Sequence, residues 1–217
     1  MLITVHGEHT LELAPERGTL RLGAQHEGSS ADEVMEVLQR TLGELVAALD
    51  ELAARAPSPV VRRTVGTPRT HHWTDHLPDG VRAVRHVAAA TVSVELDDPR
   101  ALADQARRWG ERTDVQVEGV EWSLTEQTRA ARTEEVLTAA VADATARAAV
   151  YARAAGRGEP QLVELADPGL LGGVGGDAGG MAGSGGGVRA LAASAETVDP
   201  EPAPLRIRAR VHARFEA

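Results

Sequence analysis

The closing segment "LRIRARVHARFE" alternates without interruption. Leu205, Ile207, Ala209, Val211, Ala213 and Phe215 share one parity; Arg206, Arg208, Arg210, His212 and Arg214 share the other. A period of two is the pattern of a β-strand with one face on a core and the other in water. This stretch constrains the fold most, because it demands a sheet with a single buried face against which other elements pack.

The rest of the chain supplies those elements. Ile3, Val5, Leu11 and Leu13 share a parity, and "GTLRLGAQ" follows the "LAPERG" turn, which predicts two strands in a hairpin. Val34, Leu38, Leu42, Leu45, Leu49 and Leu52 then recur every three or four residues. This is an amphipathic helix, opened by a capping box of Ser30 with Glu33 and closed before Pro57 and Pro59. Residues 60–66 and 81–96 read as a second strand pair joined by the loop "TPRTHHWTDHLPDG". A short helix follows, with Asp98 as N-cap, Pro99 at its first position and Gly110 as a left-handed C-terminal cap.

In "DVQVEGVEWSL" the apolar parity switches between Val115 and Val117 on one side and Val120, Trp122 and Leu124 on the other. Gly119 sits at the switch and predicts a β-bulge. A long helix spans roughly Glu126 to Ala155, with Gly156 as its cap and an apolar stripe of Leu137, Val141, Ala144, Ala148, Tyr151 and Ala155. Its alanine content allows close approach of a neighbouring element. "PQLVELAD" is a further strand before the closing one. The expected order is strand-strand-helix-strand-strand-helix-strand-helix-strand-strand. It implies an α+β class: a two-layer sandwich, mostly antiparallel sheet with three helices, built as one domain over residues 1–217. The spacing is not regular enough for a doubly wound sheet.

Composition removes whole classes of chemistry. All 23 basic residues are arginine, so Schiff-base lysines and a Walker lysine are excluded. Cysteine is absent, which excludes disulfides, thiol nucleophiles and thiolate metal sites. A net charge of −9 and only five aromatic residues argue against nucleic acid as a partner. No segment has the length and apolarity of a membrane span, and the opening "MLITVHGEHTLEL" lacks a signal-peptide pattern, so the expected location is cytoplasmic.

Three features invite a functional reading. Gly169–Gly187 holds eleven glycines in nineteen positions, and Gly173, Gly175 and Ala178 match a relaxed dinucleotide fingerprint. A true fingerprint opens a helix, whereas "GGMAGSGGG" cannot begin one, so residues 168–190 are expected to be a flexible insertion and no cofactor is expected. In "HHWTDH", His72 and His76 would converge on a metal if the loop turned helically, with Asp75 as a carboxylate ligand and His71 beside them; a solvated polar loop is the alternative. The stripe Arg206, Arg208, Arg210 and Arg214 is a candidate interaction surface for an anionic partner, or else it pairs with acids such as Glu12 or Glu121. Asp97 and Asp98 read as strand-end and cap residues rather than a catalytic dyad.

"LAPERGTLRLGAQHEG", "AAATVSVELDDPRALADQA", "VEGVEWSLTE", "VLTAAVADATARAAVYARAAGR" and "PLRIRARVHARFEA" together resemble the SIMPL-domain family. The likeness covers nearly the whole chain and is most specific in the helix end A-x-x-x-G-R, Ala152 to Arg157. The resemblance brings no catalytic residues. It implies a structural or protein-interaction role, and it makes a homo-oligomer the expected assembly because some bacterial members form large ring-like oligomers. The chain departs from exported members in its opening and in its glycine tract. The expected function is therefore a non-enzymatic, self-associating domain; the alternative is a metal-dependent or hydrolytic enzyme using the His71–His76 loop.

Overall fold

The structure, a computed structural model, describes residues 1–76, 82–171 and 202–217; the glycine-rich insertion expected over 168–190 lies almost wholly outside the described residues. The elements in chain order are β1 (Leu2–Leu13), β2 (Arg17–Gly28), α1 (Ala31–Ala53), β3 (Val60–Val65), β4 (Arg69–His76), β5 (Arg82–Leu96), α2 (Pro99–Gly110), β6 (Val115–Ser123), α3 (Glu126–Ala154), β7 (Gln161–Ala166) and β8 (Leu205–Glu216). They form two compact units. Each is an antiparallel sheet with helical cover on one face, the two-layer α+β arrangement expected from the sequence. Among the described residues no helix is long and apolar enough to cross a membrane.

The first unit comprises β1, β7, β8 and α3. Its sheet order is β1-β8-β7, so the alternating closing strand is central. The register sets Ile3 against Phe215, Val5 against Ala213 and Gly7 against Val211, which brings the apolar parities of both strands onto one face. That face packs on α3 through Ala140, Ala144, Ala148 and Ala152, all buried and spaced four residues apart.

The reason for alanine is at Gly7. A Cβ there would stand 2.0 Å from the Ala140 carbonyl oxygen and 2.8 Å from the Ala144 Cβ, so helix and strand meet backbone to backbone. The larger residues of the predicted stripe cannot enter so narrow a gap. Leu137 and Tyr151 lie on the flanks of the helix at 41% and 55% exposure, which corrects the expected phase of the stripe. The helix ends as its sequence indicates: Gly156 has φ +68°, its N–H donates to the Arg153 carbonyl, and the Arg157 N–H donates to that of Ala152. This paired closure satisfies carbonyls that the last turn leaves open.

The second unit spans Glu16–Ser123 and holds a five-stranded sheet, β3-β5-β2-β6 with β4 also on β5. Leu20, Leu22 and Ala24 of β2 and Ala88, Ala90, Val92, Val94 and Leu96 of β5 meet α1 and α2 in one core. Fully buried leucines such as Leu22, Leu38 and Leu45 each contribute about 1.5–3 kcal/mol by leaving water. Ser30 caps α1 by accepting from the Glu33 N–H, and Asp98 caps α2 by accepting from the Arg100 N–H at 2.9 Å. The indole N–H of the buried Trp109 donates to Gln105, and the Arg108 and Arg112 guanidiniums lie over its ring.

Three expectations are corrected here. β1 and β2 do not form a hairpin, because both edges of β2 are taken by β5 and β6 while β1 pairs with β8. The "RTHHWTDH" segment is not a loop but a strand, continuing the path of β3 along β5 as a ribbon. Gly110 remains helical, and the cap falls on Glu111 at φ −78°.

The parity switch in β6 is a bulge. Arg21 pairs with Gly119 and Leu22 with Val117, which leaves Glu118 as the extra residue. Val115 is thereby part of the core, and Val117, Val120 and Trp122 pack against it despite their opposite parities. Gly119 adopts φ +148°, a region that branched side chains avoid. Gly119→Val is expected to lower stability by about 1–3 kcal/mol, measured by denaturant unfolding. Gly7→Ala is expected to cost about 1–3 kcal/mol or more by forcing α3 off the sheet. Gly43→Ala, where an added Cβ meets nothing within 4 Å, should instead stabilise α1 by roughly 0.5–1 kcal/mol.

Candidate functional site

In the second unit the helices cover the even-numbered residues of β2 and β5, and the odd-numbered residues form the opposite face. Over part of this face charges are paired across strands. Glu95 receives Arg17 at 3.1 Å and Arg62 at 3.4 Å, and Arg21 meets Glu121 at 2.7 Å. Further along β5 the pairing stops and a groove of about 730 Å³ opens.

The register builds this groove row by row. Thr91 of β5 pairs with Gly23, which pairs with Gln116; Ala89 pairs with Gln25 on one side and Arg69 on the other; Val87 lies between Glu27 and His71. The N–H of Gly66 donates to the Thr91 carbonyl at 2.8 Å. Gly66, Ala89 and Thr91 therefore form a floor of small residues, and Gly23 leaves room on its β2 side for a neighbouring side chain. Arg69 and His71 stand on the β4 side. Glu27 stands on the β2 side, and the bulge residue Glu118 lies across Gly23, where an added Cβ would be 2.5 Å from its Oε1. Neighbouring strands are about 4.8 Å apart, so β4 and β2 are separated by about 10 Å with β5 between them. Among the described residues none of Arg69, His71, Glu27 and Glu118 forms an ion pair; Glu118 Oε1 accepts from the Thr91 hydroxyl at 3.5 Å.

Asp114 lines the same groove, but its carboxylate is committed. It receives Arg112 through two nitrogens, and also the hydroxyl of the buried Thr41, which contacts His26 Nε2 at 2.9 Å. Arg112 extends to Glu44 at 2.5 Å. The hydrogen bonds from Arg112 hold the Asp114 carboxyl down at about 2 and raise the guanidinium in return. This network fastens β2, α1 and the start of β6, and so fixes one end of the groove.

The arginine stripe of β8 lies on the face of its own sheet opposite α3, and it is paired internally. Arg206 meets Glu12 at 2.8 Å, Arg208 and Arg210 meet Glu8 at 2.6 Å and 3.0 Å, and Arg214 meets Glu164 at 2.5 Å. Of the two acids expected as partners, Glu12 serves and Glu121 belongs to Arg21. Hydrogen bonds from Arg208 first, then Arg210, hold the Glu8 carboxyl at about 2.

The histidine segment is extended rather than helical, so His72 and His76 stand four residues, about 13 Å, apart along β4. His72 faces His86 across the ribbon with ring centroids 5.7 Å apart, whereas Asp75 has the opposite parity and pairs with Ala83. The His76 side chain lies outside the described residues. Among the described residues no group of three or more metal-ligating side chains forms. Arg69, Glu27 and Glu118 are not among the residues that motif spacing singles out. The signal was available in β2, whose odd positions Thr19, Arg21, Gly23, Gln25 and Glu27 are uniformly polar or small and so mark an open face.

A family model described as SIMPL, a protein of unknown function (DUF541), matches residues 3–215. No curated protein matches the chain.

The two depressed carboxyls set a pH dependence. Glu8 and Asp114 fall to about 2 in the fold from ordinary values of 4.5 and 3.8, so their stabilisation is present above the unfolded values and lost as pH drops toward 2. The melting temperature is expected to fall between pH 4.5 and 2, and Glu8→Gln to flatten the upper part of that fall. Since Glu8 is exposed, its share should shrink with added salt.

Proposed function

The chain belongs to the SIMPL family, and from that premise we propose that it is a non-catalytic structural or interaction domain that self-associates through the outer edge of β7. The reading rests on a contrast between the two edges of one sheet. On β1, α3 reaches over the edge: the Glu8 N–H donates to Asp143 at 3.0 Å, and Arg147 donates to the His6 carbonyl at 2.9 Å. Occupying edge groups in this way prevents pairing with another chain.

On β7 no comparable cover exists among the described residues, and Leu162 and Leu165, set opposite Phe215 and Ala213, place apolar side chains on the helix-facing side of the strand. Leu162, Val163 and Leu165 are 48%, 54% and 48% exposed. Val163 is displaced by a register shift between Leu162 and Glu164, and α3 packs on β1 and β8. An exposed apolar edge strand is a template for pairing with a second chain. The arginine stripe is a weaker candidate for the contact, since its charges are already met by Glu8, Glu12 and Glu164.

Light scattering from low to high micromolar protein is expected to show a homo-oligomer that persists across a salt series, because the contact is apolar. Val163→Lys and Leu165→Lys are expected to shift it to monomer without changing the melting temperature of the dilute protein. A monomer at every concentration, or an assembly that Val163→Lys leaves intact, overturns the reading.

A further inference from the structure

We propose that the groove on the open face of the five-stranded sheet binds a small zwitterion of dipeptide size, with its carboxylate on Arg69 and its ammonium on Glu118. The inference is independent of self-association, since the groove and β7 belong to different units.

Elsewhere on this face cross-strand partners neutralise the charges, as at Arg17, Arg62, Arg21, Glu95 and Glu121. In the groove the charges segregate. The β4 wall is basic, with Arg69 and His71, and the opposite wall is acidic, with Glu27 and Glu118. Between them β5 offers Ala89 and Thr91, which can neutralise neither wall. A molecule carrying only negative charge would meet Glu27 and Glu118, and one carrying only positive charge would meet Arg69. A molecule with one charge of each sign at its two ends satisfies both walls.

The span selects the length. The walls are separated by about 10 Å of sheet, and their side chains reach inward over part of that distance. Two extended residues span about 7 Å, enough to bridge the remainder, whereas a single amino acid reaches only one wall. The floor suits a peptide plane as well. Gly66 and Ala89 put little or no side chain between ligand and sheet, Gly23 gives the Glu118 side chain room to lie over β2, and Gln25, Thr91 and Gln116 offer hydrogen-bonding groups along the floor. Side chains of the ligand would point out to solvent, so charge and length, not side-chain identity, are the basis of recognition.

Isothermal titration calorimetry of the full chain with glycylglycine is expected to give saturable one-to-one binding. N-acetyl-glycylglycine and glycylglycine amide, each lacking one charge, should bind about tenfold or more weakly, as loss of a charge-assisted hydrogen bond requires. In Arg69→Gln the amide and the free acid should bind alike, and in Glu118→Gln the acetylated and free forms should bind alike, with melting temperatures unchanged because both positions are exposed. Absence of saturable heat with millimolar dipeptide overturns the proposal. So does equal affinity for free and doubly blocked dipeptide, or failure of either variant to abolish its own end preference.

Discussion

Burial on one face only governs both sheets. A strand that alternates strictly, as β8 does, sends every second side chain into water, and the open face then has to be solvated along its whole length. Both units meet this demand chiefly with arginine and glutamate on adjacent strands: Glu8, Glu12 and Glu164 around β8, Glu95 and Glu121 around β5 and β2. Exposed pairs of this kind contribute little stability individually, typically 0.2–1 kcal/mol. Their larger effect is to keep a flat, hydrogen-bonded surface from presenting unopposed charge. The helices are freed from covering that face and can be devoted to the other.

Local chemistry was legible in the sequence wherever a residue's constraint is settled within a few positions. Ser30 and Asp98 cap helices, Gly156 closes α3 in a left-handed turn, and Gly119 carries a bulge, because each depends on backbone geometry that neighbouring residues determine. Strand partnership was not legible. β1 pairs with β8 across almost the full length of the chain, and no local pattern distinguishes that from a hairpin with β2. β4 escaped because a two-stranded ribbon need not alternate in polarity; His71, His72 and Trp73 are all exposed on it. The phase of α3 departs from its apolar pattern for a steric reason: large apolar residues ordinarily mark the buried face, but Gly7 draws the sheet so close that only the smallest side chains fit, and Leu137 and Tyr151 are turned aside.

The candidate site was least legible, and for a related reason. Its residues come from four strands and are individually unremarkable: an arginine in an apparent loop, a glutamate beside a glycine, a glutamine and a glutamate near a strand end. What joins them is register. The bulge at Gly119 is decisive, because the inserted residue that lets Val117 and Val120 both reach the core is Glu118, which lies across Gly23 on the face away from the helices. A device that serves packing on one face thereby sets the charge of the other.

The same geometry explains why some charges stay unpaired. Cross-strand ion pairs form between adjacent strands, where side chains about 5 Å apart at their roots can meet without stretching. Glu95 satisfies Arg17 and Arg62 because it lies on β5, the strand between them. Two residue pairs further along β5 the inward positions are Thr91 and Ala89, and the arginine and the carboxylates on either side are then a full strand too far apart to meet directly. Replacing the central acid by small neutral residues thus converts a neutral ladder into a groove with walls of opposite sign. Substituting Ala89 by glutamate would restore the ladder in principle, by giving Arg69 an adjacent partner and closing the floor between the walls.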